Sequence, residues 1–494
     1  MNCFKYILFL LLIVTAYACK KGYEGSFNNN PLPETYMAVS KIERSGENRL
    51  TTRVDAYWWG TSQNGYVVGY EVSIDSMHTW TYTTSLDSNI LLVIPFGSDT
   101  ADLDIYVRAI DNLGQRDLTP ASLLYPVKNT APVTVTSGIP GKKPIKSFPA
   151  VRFFWTATDA DGSQDINGFE VYLNDTNNAP YILASNVNDI SIVADTTFSN
   201  ECFVYTGTRT KAQDVKITGI KYDVWNYFYV RAIDKAGSKS VFAKDSIIIK
   251  KPKSKVLFVN AYLASRNLPF NFIASRITSF APVIDTLLLN DYSTAYRSLT
   301  EQSCDELTQG RVFNFFNRII WISDEGATAN TLALAQQSTD AFFNNGGTMF
   351  MMCNFGSDFG STSPYFGFTP IQQLINTTDG SVLRMNVDAL MTAKDITWPV
   401  LKASAIISNA RPFISPLTAS GTNTYDTMYS AQLITQGSSG VNPWTGQSNI
   451  MSKRISLKTN KPVLLFLSLP IHLLNGNGNA NLFLERALRT ELEF

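Results

Sequence analysis

Histidine is nearly absent from this chain. His78 and His472 are the only two in 494 residues, too few for an imidazole-based zinc or redox-metal centre, which needs two or three such ligands to converge. Cysteine is equally sparse. Of the five, Cys3 and Cys19 sit at the extreme N-terminus, and Cys202, Cys304 and Cys353 lie far apart with no paired spacing. That pattern excludes a disulfide framework and a thiolate metal site, leaving one 304–353 bridge as an open pairing. Net charge is also missing, since 41 basic residues balance 41 acidic ones. A neutral chain without a Lys/Arg stripe lacks the electrostatic footprint of a nucleic-acid binder, so no nucleic-acid partner is expected. Nor does any later stretch hold the roughly 20 consecutive apolar residues a membrane span requires.

What is present begins with an export signature. Lys5 precedes the apolar run Tyr6–Val14, then Ala16-Tyr17-Ala18 lead into Cys19. The order matches a secretory signal over 1–18 and is too short to span a bilayer. Ending on Cys19, it resembles the lipobox of bacterial lipoproteins, although Ala16 stands where that family usually has leucine. The resemblance implies lipidation at Cys19 and attachment to a membrane through acyl chains. Lys20 after the cysteine, and the Cys-Lys-Lys opening as a whole, resemble outer-membrane lipoproteins of Bacteroidota. The expected address is therefore the cell envelope, at the outer membrane, with periplasmic or surface facing left open. Residues 19–33, rich in Gly, Asn and Pro, read as a flexible tether.

Two related segments follow. VDAYWWG, VVGYEVSID and DIYVRAIDNLG find counterparts in VRFFWTATD, INGFEVYLND and YFYVRAIDKAG, aligning Trp59 with Trp155 and Tyr106–Asp111 with Tyr229–Asp234. Alternating apolar and polar residues bounded by Gly, Asn and Asp give the period of half-buried strands. Both copies resemble fibronectin type III domains, which implies two all-β sandwiches over 34–130 and 131–252. Such sandwiches serve many roles, so the fold alone assigns none. The second copy spans 59 residues from Glu170 to Tyr229 against 35 from Glu71 to Tyr106, and this insertion carries Cys202.

From Lys253 the pattern changes to continuous apolar runs (VLFVNAY, VIDTLLLN, IIWISD, TMFMMCN, PVLLFLSLPI) separated by helical-period stretches at Thr331–Asn344 and Asn479–Glu491. Strands buried on both faces and alternating with helices predict an α/β domain over 253–494 with a mostly parallel sheet. Ligands of open α/β sheets collect beyond the strands' carboxyl ends. That rule singles out Asn260, Asp291, Asp324, Glu325, Asn354 and Asp358 as ligand-binding candidates, each of which could equally cap a helix or shape a turn. The strand–turn–helix order around Gly326, Asn345-Gly-Gly347 and Cys353 resembles the class I glutamine amidotransferase-like fold. The resemblance implies Cys353 as nucleophile and His472 as its base. Met351 and Phe355 flank the cysteine where a nucleophile elbow needs small residues, and Leu474 stands where the family has an acid.

One loop has coordination chemistry. Asp159-Ala-Asp161-Gly162-Ser-Gln-Asp165 spaces three carboxylates around a glycine, as a calcium loop does, while the equivalent Thr61–Gly65 turn of the first copy has no acid. Calcium is the one cofactor the sequence suggests. The expected function is a lipid-anchored, non-enzymatic module that binds a protein or glycan ligand. The alternative is a surface hydrolase or amidotransferase-like enzyme using Cys353 and His472.

Overall fold

The computed structural model describes residues 31–41, 52–136, 144–262, 267–289, 301–303, 305–377, 380–419, 421–438 and 440–494. Cys19, Asp291, Cys304, the signal segment and most of the tether fall outside them. Contacts gather the chain into two compact units. The first comprises Met1–Pro132 with the short segments Thr158–Asn167 and Ile233–Ser240; the second holds the rest.

The first unit is built on an antiparallel sandwich. One sheet pairs Glu34–Lys41, Arg53–Thr61 and Asp87–Leu91; the other runs Thr81–Thr83, Val67–Ser73, Thr100–Asp111, Ala121–Lys128. Three strands over four is the sandwich architecture that the fibronectin type III resemblance implies. Strict alternation along Arg53–Thr61 sends Val54, Ala56 and Trp58 inward and Tyr57 and Trp59 outward. The core tryptophan is therefore Trp58, 1% exposed, and the sequence alignment of Trp59 with Trp155 is one residue out of register. Because the strand period is two, a one-residue slip exchanges the faces, and adjacent tryptophans offer no compositional cue to choose between them.

The second unit contains the other sandwich and the C-terminal domain. Its sandwich sets Ala150–Phe154, Asp189–Ala194, Glu201–Tyr205 and Ile217–Thr218 against a five-stranded sheet that includes Ile166–Leu173 and Trp225–Asp234. Trp155 fills its core, edge-on to Phe169 at 5.6 Å. The insertion that lengthens the second copy supplies strand Glu201–Tyr205, and Cys202 is buried in it. In both copies the repeated Glu meets the repeated Arg: Arg108 donates to Glu71 and Arg231 to Glu170, each at 2.6 Å. These residues recur because they clip neighbouring strands together.

Where the second sandwich packs on the C-terminal domain, Asp305 caps helix Glu306–Phe313 by accepting from the Thr308 amide and pairs with Arg209 at 2.9 Å. Phe148 stands edge-on to Phe316 alongside.

The C-terminal domain carries a nine-stranded sheet. Its first five strands, Asp285–Leu288, Val256–Ala261, Arg318–Ser323, Thr348–Cys353 and Lys461–Leu467, are joined by parallel ladders. These are the five apolar runs read from the sequence. The remaining four, Asn449–Ser456, Asn423–Ala431, Leu390–Ala393 and Leu401–Lys402, continue the sheet through antiparallel ladders. The sheet is thus mixed, which corrects the expectation of a mostly parallel one. The antiparallel strands are short or rich in Thr, Ser, Asn and Tyr, so they lack the continuous apolar signature that marks strands buried on both faces. Among the described residues no helix is long and apolar enough to cross a membrane.

Candidate functional site

Chain reversal at the carboxyl ends of the parallel strands opens a cleft of about 550 Å³, within the range of small-molecule sites. Strand Val256–Ala261 delivers Tyr262, Arg318–Ser323 delivers Asp324 and Glu325, Thr348–Cys353 delivers Asn354, and Lys461–Leu467 delivers Ser468 and His472. The loop Ile406–Asn409 closes the far wall, while Leu268 and Pro269 add an apolar rim from helix Leu268–Ile277.

Four residues anticipated from the sequence therefore line one cleft: Asp324, Glu325, Asn354 and His472. Asp324 accepts from the Ala327 amide at 3.1 Å and so also shapes the turn that leads into helix Thr328–Ser338. Glu325 is exposed and faces the Asn409 amide at 3.4 Å. Asn354 donates to the Tyr262 hydroxyl at 2.8 Å, and its own Oδ1 is buried without a hydrogen-bond partner. His472 likewise presents a buried, unpartnered Nδ1. Burial lowers the His472 pKa to about 4, so its ring is neutral at physiological pH.

The other anticipated residues go elsewhere. Asn260 turns back on its own chain, accepting from the Tyr262 amide at 3.1 Å and reaching Asn267 at 3.4 Å. Asp358 lies outside the cleft lining, in the loop after Asn354, and exerts a charge on Arg411. Cys353 ends its strand wholly buried, and it is not part of the cleft lining. Burial pushes its thiol well above the usual range, the opposite of what a nucleophilic thiolate requires. The sharp elbow that the amidotransferase resemblance implies is not formed at this position.

Tyr262, Ser408, Asn409 and Ser468 escaped the sequence reading. Asn409 adopts a left-handed backbone, φ 57°, a conformation Asn tolerates better than most residues, and that rare geometry is the only local signal it carried. Arg411 was missed too. Buried behind the cleft, it donates to the carbonyls of Gly356 at 2.6 Å and Phe359 at 2.8 Å and to Asn376 Oδ1 at 2.5 Å, holding the loop after Asn354 in shape.

The acidic loop is assembled in the first unit as the sequence suggested. Ligand oxygens of Asp159, Asp161 and Asp165 all lie within 4.8 Å of one another. Asp161 is fully buried and accepts from the backbone amides of Thr52 at 3.1 Å and Thr130 at 2.7 Å. Gly162 turns the loop at φ 119°, a conformation that suits glycine.

No protein-family model matches the sequence, and no curated protein matches it. Solved structures that the chain matches include a two-domain fibronectin type III segment of chicken tenascin, 11% identical, covering 44% of this chain and 99% of that one at a TM-score of 0.20. Fibronectin(III)-like modules of Clostridium thermocellum CbhA are 11% identical over 44% of this chain and 94% of theirs, at 0.17. A tetra-tandem repeat of a large adhesion protein is 12% identical over 44% and 49%, at 0.18. At these levels the likeness assigns neither ligand nor activity.

Proposed function

We propose that this chain is a lipid-anchored cell-envelope protein, held through Cys19, whose C-terminal domain binds a hydroxyl-rich ligand of the saccharide class in the strand-end cleft without transforming it. The observation that carries the reading is the lining of one cleft by Asp324, Glu325, Asn354, Ser408, Asn409 and His472 beside the apolar rim of Leu268 and Pro269. Carboxylate, amide and hydroxyl groups around an apolar rim suit a sugar's hydroxyls and its C–H faces. Cys353, sealed beneath the cleft floor, supplies no nucleophile to it.

A glycan array probed with the full chain, followed by titration of each hit against Asn354→Ala and His472→Ala, tests the ligand class. At least a tenfold loss of affinity in each variant is expected. A folded protein that retains no glycan, or binds one equally well in both variants, removes the cleft from the account. Mass spectrometry of the mature N-terminus tests the anchor: acylated Cys19, abolished by Cys19→Ser, is the expected result, and an unmodified cysteine refutes it.

A further inference from the structure

The first unit concentrates negative charge at a place the cleft does not use. Beside Asp159, Asp161 and Asp165 stands Asp234, close enough for its charge to act on Asp159 and Asp165. Asp161, Asp165 and Asp234 are all nine-tenths or more buried. Two bases face them. Arg53 lies against Gly162, and Lys235, whose backbone amide donates to the Asp165 carbonyl at 2.9 Å, acts on the Asp165 carboxylate through its charge. Four carboxylates against two bases leave a formal charge of about −2 in a site with little access to water, where such charge is expensive unless compensated.

Independent of the clustering, several oxygens around the loop are left without donors. Asp165 is 4% exposed, yet among the described residues nothing donates a hydrogen bond to its carboxylate. Asp159 Oδ2 is sealed from solvent and unpartnered. Thr52 Oγ1 and Asn129 Oδ1 lack partners as well, on residues 2% and 6% exposed. Both residues are anchored against the cluster, Thr52 through its amide on Asp161 and Asn129 through its side-chain nitrogen on Asp234 at 2.6 Å. Buried acceptors in such number are what a cation satisfies and a hydrogen-bond network does not.

We propose that this loop binds one calcium ion through the carboxylates of Asp159, Asp161 and Asp165. Hard oxygen donors with no sulfur or imidazole select a group II ion over zinc or copper. Oxygens bound to one calcium at roughly 2.3–2.6 Å lie at most about 5 Å apart, a limit that ligand oxygens within 4.8 Å of one another meet. Asp234 falls outside this close group, its oxygens accepting from Asn129 and from the Ser238 amide at 2.7 Å, so it contributes potential and not a ligand. Through Asp161 the ion would brace the segments at Thr52 and Thr130 together with its own loop.

The test is isothermal titration of the full chain, stripped with chelator, against CaCl₂ and MgCl₂, with melting followed in parallel. Expected are one calcium site per chain, with a dissociation constant on the order of 10⁻⁴ M, at least tenfold weaker magnesium binding, and a melting temperature that climbs with calcium. Asp165→Asn should weaken calcium at least tenfold while melting no lower than wild type in chelator, because it removes a like charge. Asp159→Asn, on the less buried acid, provides the same comparison should Asp165→Asn fail to fold. An acidic turn that merely shares protons would give no saturable calcium heat up to about 10 mM. That result, or wild-type affinity in a folded variant, overturns the proposal.

Discussion

Adjacent tryptophans on one strand allow a sharp test of register. Trp58 is 1% exposed, tilts against Tyr70 at 6.4 Å and donates its indole N–H to the Ser85 carbonyl at 2.9 Å. Trp58→Ala removes a filled core volume, a loss of about 3–5 kcal/mol, and the indole hydrogen bond to the Ser85 carbonyl, about 1 kcal/mol more. Trp59 is 45% exposed and stacks on the outer face with Tyr36 at 5.6 Å and Tyr57 at 6.1 Å. Trp59→Ala forfeits one or two such aromatic pairs, about 1 kcal/mol in all. Urea unfolding of the full chain, following the transition that wild type and Trp58→Ala do not share, should separate the two variants by at least 2 kcal/mol. If Trp59→Ala proves as damaging as Trp58→Ala, the inward assignment of Val54, Ala56 and Trp58 is wrong, and the first core must be redrawn.

Asp305→Ala removes a helix cap and leaves Arg209 with Asp189 alone, at 4.0 Å, so the second unit should lose about 2 kcal/mol by urea melt. Hydrogen bonds and Arg209 hold the Asp305 carboxyl below its usual range. Its stabilisation is therefore complete at neutral pH and is lost as pH falls through the lowered value, and Asp305→Asn should flatten the stability curve below about pH 4. Cys202 and Cys353 should resist iodoacetamide at pH 8 until the chain unfolds, as both thiols are buried and raised; rapid labelling of Cys353 in the folded protein would restore it as a nucleophile. His472, depressed to about 4, binds fewer protons folded than unfolded between there and about pH 6.5. Stability should fall as pH drops through that window, and His472→Gln should remove the slope.

Legibility followed burial pattern. The five parallel strands were readable because strands covered on both faces must be continuously apolar, and runs such as Ile319–Ile322 admit little else. The antiparallel half was not readable. Strand Asn423–Ala431 reads NTYDTMYSA, a sequence as compatible with a loop as with a strand, and its pairing with Asn449–Ser456 depends on partners 19 to 33 residues away. The repeats were plain because Glu–Arg clips and turn-forming aspartates recur at fixed offsets, whereas two tryptophans side by side left the Trp58 register open to a one-residue slip that the shared spacing from Val54 and Val151 resolves.

The two candidate sites were legible for opposite reasons. The acidic loop is local, with three ligands inside seven residues, so spacing announced it, although Asp234 and Asn129 enter from distant segments and could not be anticipated. The cleft is assembled from the ends of four strands and one loop, and sequence could nominate only the residues that follow recognisable strands. That rule found Asp324, Glu325 and Asn354 but missed the loop at Ser408 and Asn409, which follows no strand of the parallel half. It also elevated Asn260 and Asp358, which shape the chain without facing the cavity. A strand-end rule thus locates an edge of the sheet correctly, while the choice between turn-former and ligand contact depends on which way each side chain turns once its backbone neighbours have taken their hydrogen bonds.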